Sequence, residues 1–190
     1  MPTRSMALAV AAFAGASGAT AACTPGQMQE ATLQYQQAQT SGFDDPAQLE
    51  TALISFDAAA KKGGSGSVGQ VATFYRGVSL HRLGRNEDAI AALLEVADSE
   101  TANPTLAGSS KALLAEIFQA TGETDRAVDL LQGLIDADPP IYAVDQALLA
   151  LGKIRMERGE SELARQDWQR IVNEFPARGA VEEARTLLGS

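Results

Sequence analysis

The sequence predicts an all-α solenoid, in which antiparallel helix pairs stack side by side and a last helix caps the array. Three observations predict this class. A glycine-centred phrase recurs at Gly84, Gly122 and Gly159, at spacings of 38 and 37 residues. Apolar residues recur every three or four positions on both sides of each copy, which is the period of one helix face. Aromatic residues make up only 5% of a chain that is 45% hydrophobic, and this composition favours helix over strand.

Each copy of the phrase carries signals that end one helix and begin the next. The glycine can adopt the left-handed conformation that terminates a helix. A residue with a side-chain oxygen follows two positions later and is predicted to cap the next helix: Asn86, Thr124 and Ser161. A small residue stands five positions after each glycine, where it lets two antiparallel helices approach closely: Ala89, Ala127 and Ala164. Such a pair cannot bury its apolar stripe alone, so we expect the pairs to stack.

The third copy carries the most complete set of repeat residues. Its pattern is Leu148-x-x-Leu151-Gly152, then Gly159, then Ala164-x-x-x-Trp168, then Pro176. This pattern, which is weaker in the other two copies, resembles the tetratricopeptide repeat family. The first copy departs from the family pattern, because Arg76 stands at a leucine position and the closing proline is displaced to Pro104.

The resemblance implies a short right-handed superhelix of helix pairs over residues 27–188. It implies repeats at about 33–66, in degenerate form, at 70–103, at 108–141 and at 145–178, followed by a capping helix at 180–188. Trp168 occupies the large position of its repeat and is expected in the core. Within the family, the stretch from Phe175 to Ala184 is similar to bacterial envelope repeat proteins of the translocon-associated or the outer-membrane-assembly and cell-division type.

The first 22 residues are typical of a secretory signal. Arg4 precedes the uncharged stretch Met6–Ala14, and small residues at 19 and 21 fit the pattern that signal peptidase reads. A second interpretation is a lipoprotein signal, in which Cys23 is lipidated and becomes the mature N-terminus, although Thr20 stands where such signals favour leucine. A third is an uncleaved membrane anchor. All three place the folded part in the periplasm or on the outer face of a bacterial membrane.

The composition disfavours several classes of function. A net charge of −9 repels nucleic-acid phosphates, so nucleic acid is not expected as a partner. One cysteine and one histidine cannot supply the ligands of a zinc or iron site, and no metal or cofactor is expected. The glycine-rich segment 63–69 lacks the lysine of a phosphate-binding loop. No nucleophile is tied to His81, so no catalytic residue is assigned and an enzyme is not expected.

The resemblance places partner binding on a concave face lined by the first helix of each pair. Carried onto this chain, the candidate groove residues are Phe74, Val78, His81, Arg82, Ala112, Glu116, Gln119, Leu149, Lys153 and Met156. Such a mixture of apolar and charged side chains suits an extended segment or a helix of a partner. The expected function is binding of another envelope protein or peptide segment. The alternative is a lipid-anchored structural subunit of an envelope assembly or secretion complex.

Overall fold

The structure is a computed structural model that describes residues 26, 28–30, 32, 33, 36 and 46–189. The predicted signal segment, residues 1–22, and the lipidation candidate Cys23 lie outside these residues. From residue 46 to residue 189 the chain forms helices and no strand, which confirms the predicted all-α class. No helix among the described residues is both long and apolar enough to cross a bilayer.

Eight helices follow one another between residues 46 and 189. They are α1 (Pro46–Gly63), α2 (Ser67–Arg82), α3 (Asn86–Ala97), α4 (Pro104–Ala120), α5 (Thr124–Ile135), α6 (Val144–Glu157), α7 (Ser161–Glu174) and α8 (Val181–Leu188). Helices α2 and α3, α4 and α5, and α6 and α7 form three successive pairs, and α8 packs on α7 as the predicted cap. Helix α1 packs on α2. The first helix of the predicted degenerate pair falls mostly outside the described residues.

The turn inside each pair is built in the same way three times. Gly84, Gly122 and Gly159 have φ angles of 75°, 86° and 79°, in the left-handed region that the sequence predicts for them. In the first turn, the Arg85 N–H donates to the Leu80 carbonyl at 2.9 Å and the Gly84 N–H donates to the His81 carbonyl at 2.9 Å. These two bonds make a Schellman motif, which satisfies carbonyls at the end of the helix.

The predicted side-chain caps are wrong. Asn86, Thr124 and Ser161 are the first helical residues of α3, α5 and α7, and the residue before each one holds the capping position without a side-chain hydrogen bond. The reason is that the turn is one residue tighter than predicted. Arg85 closes the Schellman motif of α2 and also starts α3, because its carbonyl accepts from the Ala89 N–H at 3.0 Å.

Small residues allow the two helices of each pair to pack closely, as predicted. The three alanines that follow the turns are fully buried. On the facing helix of the first pair, a Cβ added to Gly77 would lie 2.8 Å from Leu93 Cγ, so only glycine fits there without displacing that side chain. Trp168 is 1% exposed, which confirms its predicted place in the core.

The loops between pairs are anchored by a buried amide on α2. Gln70 is 6% exposed. Its Nε2 lies 3.1 Å from the Ser65 carbonyl oxygen, 3.2 Å from Ser99 Oγ and 2.9 Å from Thr101 Oγ1, so its two N–H groups are shared among three acceptors. Buried amides need such partners, because an unpaired polar group is costly away from water. Gln70 therefore ties the loop before α2 to the loop that leads into α4.

Candidate partner-binding face

The first helices of the second and third pairs lie side by side and run in the same direction. At their N-terminal ends, the chain before α6 crosses α4 so closely that a Cβ on Gly108 would lie 2.8 Å from the Ile141 carbonyl carbon. At their C-terminal ends, Gln119 Nε2 on α4 donates to Glu157 Oε2 on α6 at 3.0 Å. Helix α2 contacts α4 in turn. The solvent-facing side of α2, α4 and α6 is called the binding face below.

Seven of the ten predicted groove residues reach solvent on this face. Three are exposed and four are half-buried: Arg82, Glu116 and Met156, then His81, Ala112, Gln119 and Lys153. Met156 is 37% exposed, so part of its apolar side chain reaches solvent. These seven positions remain available for contact with a partner.

The other three predicted groove residues are core residues instead. Phe74, Val78 and Leu149 are 5%, 7% and 2% exposed, and all three belong to the main hydrophobic core. The Phe74 ring packs edge-on against the Tyr75 ring, with 5.3 Å between the ring centroids. Their burial follows from the close approach of successive helix pairs, which closes the faces that a single pair would leave open. A bound segment would not touch these three side chains.

Polar side chains link the neighbouring helices along the binding face. Besides the Gln119–Glu157 bond, Lys153 Nζ on α6 pairs with Glu183 Oε1 on α8 at 2.7 Å. His81 Nδ1, at the end of α2, lies 2.9 Å from Asn86 Oδ1 at the start of α3. Each link is at least partly exposed and so contributes modestly to stability. The Lys153 ammonium group is therefore already paired within the chain.

Two polar residues beside Glu116 were missed by the sequence analysis. Tyr142, just before α6, is half-buried, and Asp145, in the first turn of α6, is 3% exposed. Burial raises the pKa of the Tyr142 phenol above its ordinary value, and the negative charges of Glu116 and Asp145 raise it further. Both carboxylates therefore lie within electrostatic reach of the Tyr142 hydroxyl. No local signal predicts this cluster, since its members come from different repeats.

A second buried carboxylate serves the packing of a pair. Arg155 Nη1 on α6 lies 2.7 Å from both carboxylate oxygens of Asp167 on α7. Burial raises the pKa of Asp167, and the charge of Arg155 opposes that shift. This ion pair joins the first helix to the second helix of one pair. Among the residues that the structure describes, no group of three or more His, Cys, Asp and Glu side chains is placed to hold a metal ion.

Comparison with known proteins identifies the same repeat. A family model described as "Tetratricopeptide repeat" matches residues 47–105 and 113–179. Among solved structures, the chain is similar to a tetratricopeptide repeat protein from Parabacteroides merdae ATCC 43184, with a TM-score of 0.64 and 18% sequence identity. At this low identity the similarity concerns the fold alone. It covers 86% of this chain and 59% of the other. No curated protein matches the sequence.

Proposed function

Because the chain belongs to the tetratricopeptide repeat family, we propose that it is an exported interaction module that binds a segment of a partner polypeptide along the binding face. Tetratricopeptide repeats are generally protein–protein interaction modules. The observation that carries the proposal is the parallel course of α4 and α6. Their alignment leaves a continuous face on which Met156 stays exposed while neighbouring polar side chains hold the helices in place.

The chemistry of this face suits a peptide segment. Met156 offers an unbranched, polarisable side chain that adapts to varied apolar surfaces. Around it lie an amide, a carboxylate and a lysine: Gln119, Glu157 and Lys153. A partner helix or extended segment would place an apolar side chain against Met156 and polar groups beside the amide. Tetratricopeptide repeat proteins are typically non-enzymatic scaffolds, and we propose that this chain likewise carries no catalytic activity.

The proposed location is the periplasm or the outer face of a bacterial membrane. Its support is the sequence of residues 1–22, with an apolar stretch after Arg4 and small residues at the expected cleavage site. The partner is then another envelope protein or one of its segments. The similarity of the Phe175 to Ala184 stretch to envelope repeat proteins supports the same assignment.

A second candidate function follows from the residues before Cys23. Ala21 and Ala22 are small, as residues before the cysteine of a bacterial lipoprotein are, whereas Thr20 departs from that pattern. A lipid on Cys23 would tether the repeats to a membrane and make the chain a structural subunit of an envelope assembly or secretion complex. Such a subunit could dock through the second helices, α3, α5 and α7, and leave the binding face empty.

Photo-crosslinking in the native cell tests these two functions. A photoreactive residue is placed at Arg82 and, separately, at Met156, which are exposed near the C-terminal ends of α2 and α6. The matched control probes are Asp129 on α5 and Arg165 on α7, both exposed on second helices. We expect one envelope protein to crosslink at both binding-face sites and at neither control. Crosslinks confined to the control sites would contradict the proposal and favour the structural subunit.

A further inference from the structure

We infer that Met156 is a site of regulatory oxidation, at which a peroxide converts the thioether to a sulfoxide and thereby weakens partner binding at the binding face. The inference rests on the proposed function and adds its regulation. Its geometric basis is a contact between the Met156 sulfur and the Ser161 hydroxyl, across the turn that joins α6 to α7.

The side chain of Met156 is open to a small dissolved oxidant. Met156 is exposed in the last turn of α6. The other methionine that the structure describes, Met28, is half-buried and packs against the buried residues Ala59, Ala60 and Ala72. A peroxide must reach the sulfur to react with it, so Met156 is expected to react before Met28.

The Ser161 hydroxyl holds one side of the Met156 sulfur. Ser161 is the first residue of α7, and its Oγ donates to Met156 Sδ across 3.6 Å. The turn between the two residues is fixed, because the Met156 carbonyl accepts from the Gly159 N–H at 3.0 Å. A thioether sulfur carries two lone pairs and is a weak acceptor. The hydroxyl therefore covers one lone pair and leaves the other open to attack a peroxide.

Hydrogen peroxide supplies the oxygen atom in this reaction. The open lone pair of Met156 Sδ attacks one peroxide oxygen, an S–O bond forms and the O–O bond breaks. The sulfur loses two electrons and becomes a sulfoxide, while the second peroxide oxygen is reduced and leaves as water with both protons. Because the attack starts from one lone pair, one of the two sulfoxide epimers is expected to predominate.

The product changes the point of the binding face where an apolar side chain of the partner rests under the proposed function. The thioether is apolar and adaptable, whereas the sulfoxide is polar. Water solvates the sulfoxide oxygen in the free protein, but an apolar partner group at Met156 would remove that water without replacing its hydrogen bonds. This loss is unfavourable, so oxidation favours the free protein over the complex.

Peroxide treatment of the purified full chain tests the modification site. Peptide mass spectrometry measures the gain of one oxygen atom at Met156 and at Met28. Methionine sulfoxide reductases that each act on one epimer, applied to the digested protein, identify the product. We expect Met156 to be oxidised faster than Met28 and one reductase to restore most of it.

Ser161 variants test the role of the hydroxyl in the same assay. Ser161→Ala should give both epimers in about equal amounts, because neither lone pair is then covered. Ser161→Thr, which keeps the hydroxyl, is the matched control and should preserve the wild-type preference. Equal oxidation rates at Met156 and Met28, or an equal mixture of epimers in the wild type, would overturn the inference.

Photo-crosslinking in the native cell tests the effect on binding. The probe is placed at Arg82 on α2, and the cells receive graded amounts of hydrogen peroxide before irradiation. We expect the crosslink yield to fall by roughly 10-fold or more as Met156 becomes oxidised, as for loss of a buried apolar contact. In Met156→Leu, which keeps an apolar side chain but cannot form a sulfoxide, peroxide should not lower the yield. Met28→Leu should respond to peroxide as the wild type does.

The outcomes separate this inference from the proposed function. A crosslink from Arg82 that persists when Met156 is fully oxidised would overturn the inference and leave the proposed function standing. An equal fall in yield in the wild type and in Met156→Leu would place the sensitive group elsewhere and overturn it as well. Absence of any crosslink from Arg82 in untreated wild-type cells would contradict the proposed function, and the regulation of binding with it.

Discussion

Gly152 on α6 packs directly against the indole ring of Trp168 on α7. A Cβ added to Gly152 would lie 2.9 Å from Cδ1 and from Cε2 of the ring, which is closer than real Cβ contacts come. The ring is 1% exposed, and its buried Nε1–H has no hydrogen-bond partner among the residues that the structure describes. The glycine therefore sets the distance between the two helices of the third pair.

Gly152→Ala is expected to destabilise the protein. Overpacking of a tight contact costs about 1–3 kcal/mol, and the gain of about 1 kcal/mol that alanine brings to a helix interior offsets only part of the upper range. We expect a net loss of up to about 2 kcal/mol in the free energy of unfolding, measured by urea denaturation. Gly133→Ala on α5 is the matched control, because a Cβ there meets nothing within 4 Å. It should raise the free energy of unfolding by up to about 1 kcal/mol, and equal effects at the two sites would refute the packing argument.

Gly122→Ala should also destabilise the protein, for a different reason. Its φ of 86° is left-handed, and no atom lies within 4 Å of an added Cβ, so the expected loss of about 1–2 kcal/mol comes from the backbone alone. Gly122→Asn should lose less, since asparagine tolerates this conformation better. Denaturation of the two variants side by side measures the difference. If asparagine and alanine were equally harmful, a lost contact rather than the φ angle would have to explain the effect.

Phe74 and Met156 are both predicted groove residues, but the structure buries the first and exposes the second. Their alanine variants should therefore differ in stability. Phe74→Ala should lower the free energy of unfolding by about 3–5 kcal/mol, because it empties a buried site. Met156→Ala should change it by no more than about 0.5 kcal/mol, as at most exposed positions, while weakening partner binding. Calorimetric melting of both variants checks this. A small loss of stability in Phe74→Ala would indicate that this side chain is exposed on the binding face and does not lie in the core.

Asp57 gives the protein a defined dependence on pH. A hydrogen bond from Lys61 lowers the pKa of Asp57 below 3.8, and Arg76 on α2 adds to the shift while burial opposes it. A carboxyl group whose pKa is lowered by folding stabilises the protein at pH values above the pKa of the unfolded state. This stabilisation is lost as the pH falls through the pKa of the folded state. Asp57→Asn should therefore be less stable than the wild type at neutral pH, by no more than about 1 kcal/mol because the pair is partly exposed.

The difference between Asp57→Asn and the wild type should vanish below the lowered pKa. Urea denaturation of both proteins across the acid range measures it, with Asp129→Asn as the control for removal of an exposed charge. A difference that stayed constant with pH would show that the carboxylate contributes through shape rather than charge.

Much of the fold follows from local sequence. The glycine of each phrase predicts a left-handed residue, and Gly84, Gly122 and Gly159 adopt it. The small residue five positions later predicts close packing, and the alanines are buried. These features repeat because each depends on neighbours within one helix pair. The capping prediction failed within the same segment, because Arg85 serves the end of one helix and the start of the next.

The sequence by itself determined the helix pairs, their turns and their order, since hydrophobic period and glycine position act over a few residues. Only the tertiary structure decided which side chains a partner can reach. The burial of Phe74 and Leu149 depends on how closely successive pairs approach one another. The burial of Asp145 likewise depends on the packing of chain segments around it. Both are properties of contacts between residues far apart in the chain, which no local pattern records.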